Sequence, residues 1–130
     1  MRRFILLLAM LCLPAIHAEL PPSAYERMQA AATEVVEIEV LRVEVEPGET
    51  PGSQNIRLTV LVNKVIRTAN VKENDLIKIH YTVTGHEKGW TGPGEIPVLE
   101  EKEKTLAYLT KDLATEDFHP AAGVMSFRNF

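Results

Sequence analysis

Hydrophobic and polar residues alternate with a period of two through most of this chain, beginning at Glu34. Val36, Ile38 and Val40 fall on one side and Glu37 and Glu39 on the other, the pattern of a strand with one buried face. Beyond Val40 the parity slips: Leu41, Val43 and Val45 become the apolar set, and Arg42, Glu44 and Glu46 the polar one. One extra residue near Val40-Leu41 keeps both sets pointing inward, which predicts a β-bulge in a long, bent first strand. Such a strand favours a sheet that curls into a small barrel over one that lies flat.

The turn-rich stretch Pro47-Gly48-Glu49-Thr50-Pro51-Gly52-Ser53 separates this strand from a second. There Ile56, Leu58, Val60 and Val62 alternate with Arg57, Thr59, Leu61 and Asn63, and the strand runs to about Arg67. A polar turn at Lys72-Glu73-Asn74-Asp75 leads to a third strand, with Ile77, Ile79, Tyr81 and Val83 against Lys78, His80 and Thr82. Three strands joined by turns make a meander. Its outward face carries the acids of the first strand near Arg57, Lys78 and His80, where cross-strand charge pairing worth a few tenths of a kcal/mol is the ordinary explanation. Residues 84–97 hold four Gly, two Pro and the single Trp, so no regular element is expected there. A charged turn at Glu100–Lys104 precedes a strand over Thr105–Thr110 that reads as buried on both faces, and Val124–Arg128 reads as a last short strand. Upstream, Ser23-Ala24-Tyr25-Glu26 has the spacing of a capping box. A short helix over 24–32 follows it, with Tyr25, Met28, Ala31 and Ala32 on one face.

The first 18 residues stand apart. Met1-Arg2-Arg3 is a positive start, Phe4–Leu13 an apolar run, and Pro14-Ala15-Ile16-His17-Ala18 a close ending in a small residue. That layout is a secretory signal peptide, and the run is shorter than the roughly 20 residues a membrane helix needs. Cys12 follows Leu11, where a lipid-anchored precursor needs a small residue, so neither a lipid anchor nor stable membrane insertion is expected. The expected organisation is a signal peptide at 1–18 and one domain at 19–130, located in the periplasm or secreted. Taking those 18 residues from 130, and their two arginines from 14 bases against 18 acids, leaves 112 residues with a net charge of −6. The one cysteine of the chain goes with them. The remaining domain must be held by packing and a closed sheet, since it can form no disulfide, thiolate metal site or thiol redox centre. The negative balance opposes nucleic-acid binding, which needs a clustered basic surface.

Five strands, the first long and bent, in a domain of this size match an all-β fold: a small five-stranded OB-like Greek-key barrel with a short N-terminal helix. The strings Glu34-Val35-Val36-Glu37-Ile38-Glu39-Val40, Lys64-Val65-Ile66, Asn74-Asp75-Leu76-Ile77-Lys78-Ile79 and Lys104-Thr105-Leu106-Ala107-Tyr108-Leu109 resemble the exported netrin-like domains related to tissue inhibitors of metalloproteinases. Tyr108-Leu109 and Phe118-His119-Pro120-Ala121-Ala122-Gly123 are similar to the closing segment of small bacterial envelope proteins of this type. The resemblance implies a scaffold with a tendency to bind proteins. The inhibitory mechanism of the tissue inhibitors does not carry over: it uses an N-terminal cysteine, and the expected mature start here is Glu19-Leu20.

Candidate chemistry is sparse. His86-Glu87-Lys88-Gly89-Trp90 opens like a zinc-protease motif, but its fifth residue is Trp90 and its Gly-rich surroundings cannot be helical. His80, His86 and His119 could converge on copper or zinc, although scattered loop histidines are usually just solvated. None of the mature serines, Ser23, Ser53 and Ser126, stands in a Gly-x-Ser-x-Gly elbow, and the strand glutamates are those of a solvated face. The chain therefore reads as a non-enzyme without cofactor. The loop carrying His86 and Trp90, with Tyr81 beside it, is the expected binding region, because loops on rigid scaffolds and Trp side chains are where binding concentrates. Trp90 as a plug over one end of the barrel is the alternative. The expected function is an exported, non-catalytic binding or inhibitor-like accessory protein of the bacterial envelope. Its partner would be another envelope protein, with carbohydrate stacking on Trp90 and Tyr81 as a second class. Metal binding through the three histidines is the competing function.

Overall fold

The computed structural model describes residues 20–84 and 95–129, so the expected signal peptide and the side chains of His86 and Trp90 lie outside the described residues. The alternating segments become strands: α1 (Pro22–Ala31) is followed by β1 (Glu34–Pro47), β2 (Gln54–Arg67), β3 (Leu76–Val83), β4 (Lys104–Lys111), β5 (Phe118–Pro120) and β6 (Phe127–Asn129). β1, β2 and β3 form the antiparallel meander. The other edge of β1 pairs antiparallel with β4. β5 fits between β4 and β3, antiparallel to the first and parallel to the second. The order β1-β2-β3-β5-β4 thus returns to β1, and the sheet is a closed five-stranded OB-like barrel with a short helix outside it. Among the described residues no helix is long and apolar enough to cross a membrane.

Register follows the hydrophobic pattern. Val40 faces Val60 and Arg42 faces Thr59, so Leu41 is the extra residue and the bulge lies where the parity slips. Val36, Ile38, Val40, Ile56, Leu58, Val60, Val62, Ile79, Ala107 and Leu109 are almost fully buried and fill the barrel. Val71 and Leu99 close over it from the loops. The inward set beyond the bulge is only partly realised. Val43 packs against the core, whereas Leu41 and Val45 remain 45% and 47% exposed. Val40 donates to Glu103 O and accepts from Lys102 N, which is the last rung between β1 and the β4 side. The β1–β2 hairpin continues past that rung, where no other strand among the described residues pairs with it. Gly48 sits in that hairpin because a Cβ there would come within 2.1 Å of Ser53 Oγ.

Two expectations need correction. The last barrel strand is Phe118–Pro120 and not Val124–Arg128; the latter stretch divides into a 3₁₀ turn at Gly123–Met125 and β6. β5 and β6 occupy one edge of β4 in succession. Between them Tyr108 N donates to Ser126 O (2.8 Å) and Tyr108 O accepts from Ala121 N (3.0 Å). The helix begins at Pro22 with Pro21 as its N-cap, and no side chain caps it. Proline fits the first helical position because its φ is already helical and it has no N–H to satisfy. That early start places Ser23 inside the first turn, so the capping box does not form. The other end of α1 is tied down instead: Arg67 of β2 donates from Nη2 to Gln29 O (2.6 Å) and Ala32 O (2.9 Å), and from Nε to Ala32 O (3.1 Å). These are the terminal carbonyls a helix leaves unpaired.

Candidate functional site

The outer face of the meander collects polar side chains in register. Glu44 of β1, Arg57 of β2 and His80 of β3 form one cross-strand row, and Glu46, Asn55 and Thr82 form the next. Directly opposed residues on neighbouring strands share a face, so the six stand together, and they line a cleft of about 300 Å³. Thr82 Oγ1 donates to Asn55 Oδ1 (2.9 Å), which leaves the Asn55 amide N–H groups free to donate outward. Arg42 Nε lies 3.6 Å from Glu44 Oε1 along the same strand. At this distance and exposure the pair contributes little, and both charges remain available.

At the β3 side of the cleft, His80 Nε2 is shielded from solvent and has no hydrogen-bond partner among the described residues. Asp112 Oδ2 lies 3.9 Å away, beyond hydrogen-bond reach. Asp112 stands at the start of the β4–β5 connection, where its Oδ1 accepts from Ala114 N (2.9 Å). That bond, aided by Thr115 and by nearby His119 and His80, outweighs desolvation and holds the Asp112 carboxyl below the usual aspartate range. His119 of β5 is brought beside His80 because Ile79 and Phe118 are register partners in the parallel β3–β5 pair. Both histidines follow a core residue and face outward. The fold thus joins two of the three histidines singled out above around one carboxylate. Among the described residues no three His, Cys, Asp or Glu side chains are grouped so as to hold a metal ion.

Tyr81 is placed differently from its expected role. It is 8% exposed on the inner face, its ring is 6.0 Å from that of Phe127, and its hydroxyl donates to Pro97 O (2.7 Å). Burial, opposed by a backbone bond at Leu99 and reinforced by Glu103, pushes its pKa up to about 12. A ring enclosed this way presents no stacking surface, so carbohydrate stacking on Tyr81 is corrected to a core role. The segment it anchors crosses the barrel mouth and supplies buried Leu99 and half-buried Ile96 as cover.

A second carboxylate cluster, at the opposite end, has no place in the sequence expectations. Glu34 is fully buried and held by the β2–β3 connection. Its Oε1 accepts from Ala69 N (2.8 Å), Asn70 N (2.7 Å), Thr68 Oγ1 (3.1 Å) and Asn70 Nδ2 (3.2 Å), and Thr33 Oγ1 donates to Oε2. Burial raises its pKa, but the bonds from Thr33, Ala69, Asn70 and Thr68 prevail and the carboxyl stays below its ordinary value of 4.5. Every donor around it is used, so this cluster closes the barrel and offers nothing to a ligand. A signal for it is present in the chain: Glu34 shares the inward parity of Val36, Ile38 and Val40. The cleft has no such mark in the chain, since Glu44, Arg57 and His80 follow the ordinary polar alternation. The chain matches no protein-family model, no curated protein and no solved structure.

Proposed function

We propose that this chain is an exported, non-catalytic binding or inhibitor-like accessory protein of the bacterial envelope, and that it meets its partner on the outer face of β1, β2 and β3. The observation that carries this reading is the cleft. Glu44, Glu46, Asn55, Arg57, His80 and Thr82 line it from three hydrogen-bonded strands, and no described residue accepts from the Asn55 amide N–H groups. Preorganised polar groups on rigid elements lose little entropy when a partner arrives. Their mixed charge suits a protein surface carrying both signs, since electrostatic complementarity fixes orientation and excludes wrong partners. Export is supported by the signal-peptide layout of residues 1–18. The bacterial envelope rests on the similarity of Tyr108-Leu109 and Phe118-His119-Pro120-Ala121-Ala122-Gly123 to the closing segment of small bacterial envelope proteins.

Affinity capture from envelope extract, read by mass spectrometry with wild-type, Arg57→Glu and Trp90→Ala proteins as bait, tests the reading. A partner held by wild type and released by a still-folded Arg57→Glu is the expected result. Release by Trp90→Ala with an unchanged melting temperature would extend the surface to the segment that carries Trp90. A partner retained equally by Arg57→Glu would remove the cleft from the binding surface.

A further inference from the structure

Among the described residues, half of one edge of β1 has no paired strand. Glu34–Glu39 pair with β4 and Val40 bonds with Lys102 and Glu103, but from Leu41 to Pro47 that edge meets no strand among the described residues. Gly48 N donates to Ser53 O (2.8 Å), which sets the phase of the β1–β2 ladder. Antiparallel alternation then turns the main-chain groups of Glu46 and Glu44 toward β2 and those of Val45 and Val43 toward the free edge. Exposed Leu41 and Val45 lie along the same stretch, with Arg42 and Glu44 on its outer face.

We propose that this edge pairs with the same edge of a second copy, antiparallel about a two-fold axis at Val43. The charge pattern selects this register. It sets Arg42 opposite the partner's Glu44 and Glu44 opposite the partner's Arg42, while Leu41 and Val45 cover the partner's Val45 and Leu41. Centring the axis one residue later, on Glu44, sets two carboxylates face to face, which is unfavourable. Arg42 and Glu44 already lie 3.6 Å apart within one strand, so the four charges alternate in sign around the axis.

Free edges are usually blunted by bulges, prolines and charges, and all three are present here. The Leu41 bulge and Pro47 stand at the two ends of the free stretch. They confine pairing to the residues between them, which limits assembly to one short ladder. The contact is isologous and closes at two copies. Its axis is perpendicular to the sheet, so both clefts face the same side and the partner's Arg42 lies beside the Glu44 that lines each of them.

Sedimentation velocity of the purified protein over a concentration series tests the proposal. Wild type is expected to pass from monomer to twice that mass as concentration rises. Arg42→Glu, which sets like charges opposite one another at both pairs, should weaken the dimer by about tenfold or more. The exchange Arg42→Glu with Glu44→Arg should restore it. Both side chains are exposed, so circular dichroism should show every variant folded. A monomer at all concentrations overturns the proposal. A dimer indifferent to Arg42→Glu, or a loss that the double exchange fails to repair, also overturns it.

Discussion

The two ends of β1 put the same chemical group to opposite uses. At the sealed end, the Glu34 carboxylate is fully buried and accepts from two backbone N–H groups, two hydroxyls and an amide. At the open end, Glu44 has Arg42 at 3.6 Å and shares a cleft with a histidine nitrogen that has no hydrogen-bond partner among the described residues. A buried charge persists only where its hydrogen-bonding capacity is filled, so the sealed end spends its polarity on the fold. The outer face keeps polarity in reserve, which makes it the place to look for a partner. Carboxylate content therefore does not separate structure from function in this protein. Whether neighbouring donors are used up does.

Breaking the sealed end should have the largest effect. Glu34→Ala takes the carboxylate acceptor from the buried N–H groups of Ala69 and Asn70, while the Thr68 hydroxyl keeps Val71 O, and chemical denaturation should show a loss of about 3 kcal/mol. Glu34→Gln, which keeps the shape and one acceptor oxygen, should lose less. The pH dependence has a definite sign. A carboxyl whose folded pKa lies below its ordinary 4.5 stabilises the fold above that value and ceases to as pH falls through the folded pKa. The stability gap between wild type and Glu34→Gln should accordingly be constant near neutrality and narrow below about pH 4.5. A gap independent of pH would mean that Glu34 acts by shape alone.

Next in size is the tie between α1 and the barrel. Arg67→Ala removes three hydrogen bonds to the carbonyls that end the helix. It should cost about 1–2 kcal/mol, and hydrogen exchange should show α1 opening while β1 and β2 stay protected. Tyr81→Phe deletes the bond to Pro97 O and should cost about 1 kcal/mol. In an alkaline titration followed by ultraviolet absorbance, the Tyr81 phenol should ionise only near its raised value of about 12. A group raised in this way stabilises the fold below its unfolded pKa and loses that contribution as pH climbs through the folded one. The smallest effect on stability belongs to the open face. Arg57→Glu should change stability by no more than about 0.5 kcal/mol while abolishing partner capture. Should it unfold the protein instead, the contrast between the two ends of β1 would fail.

The long alternating strands were legible in the chain because a strand buried on one face must repeat every two residues. The bulge was legible as well, since Leu41 shifts the parity of everything after it and the ladder skips that same residue. β5 was not. Three residues are too few to display a period, and Phe118–Pro120 becomes a strand only because the gap between β3 and β4 needs one. The site was legible in part. His80 and His119 could be singled out by residue type, but they are 39 positions apart in sequence, and the parallel register of Ile79 with Phe118 alone makes them neighbours of Asp112. Tyr81 carries the parity of Ile77 and Ile79, which marks it as inward facing; its expected role followed residue type, and the register shows that parity decides.

The sequence by itself determined the all-β class, the meander, the bend in β1 and the polar character of the outer face, because each follows from periodicity between adjacent residues. Tertiary structure decided which polar groups are spent and which are spare. Glu34 is satisfied by residues 68–70 and His80 is left without a partner because of how distant segments come together. A hydrogen-bond balance of that kind is a property of the closed barrel and of no single stretch of chain.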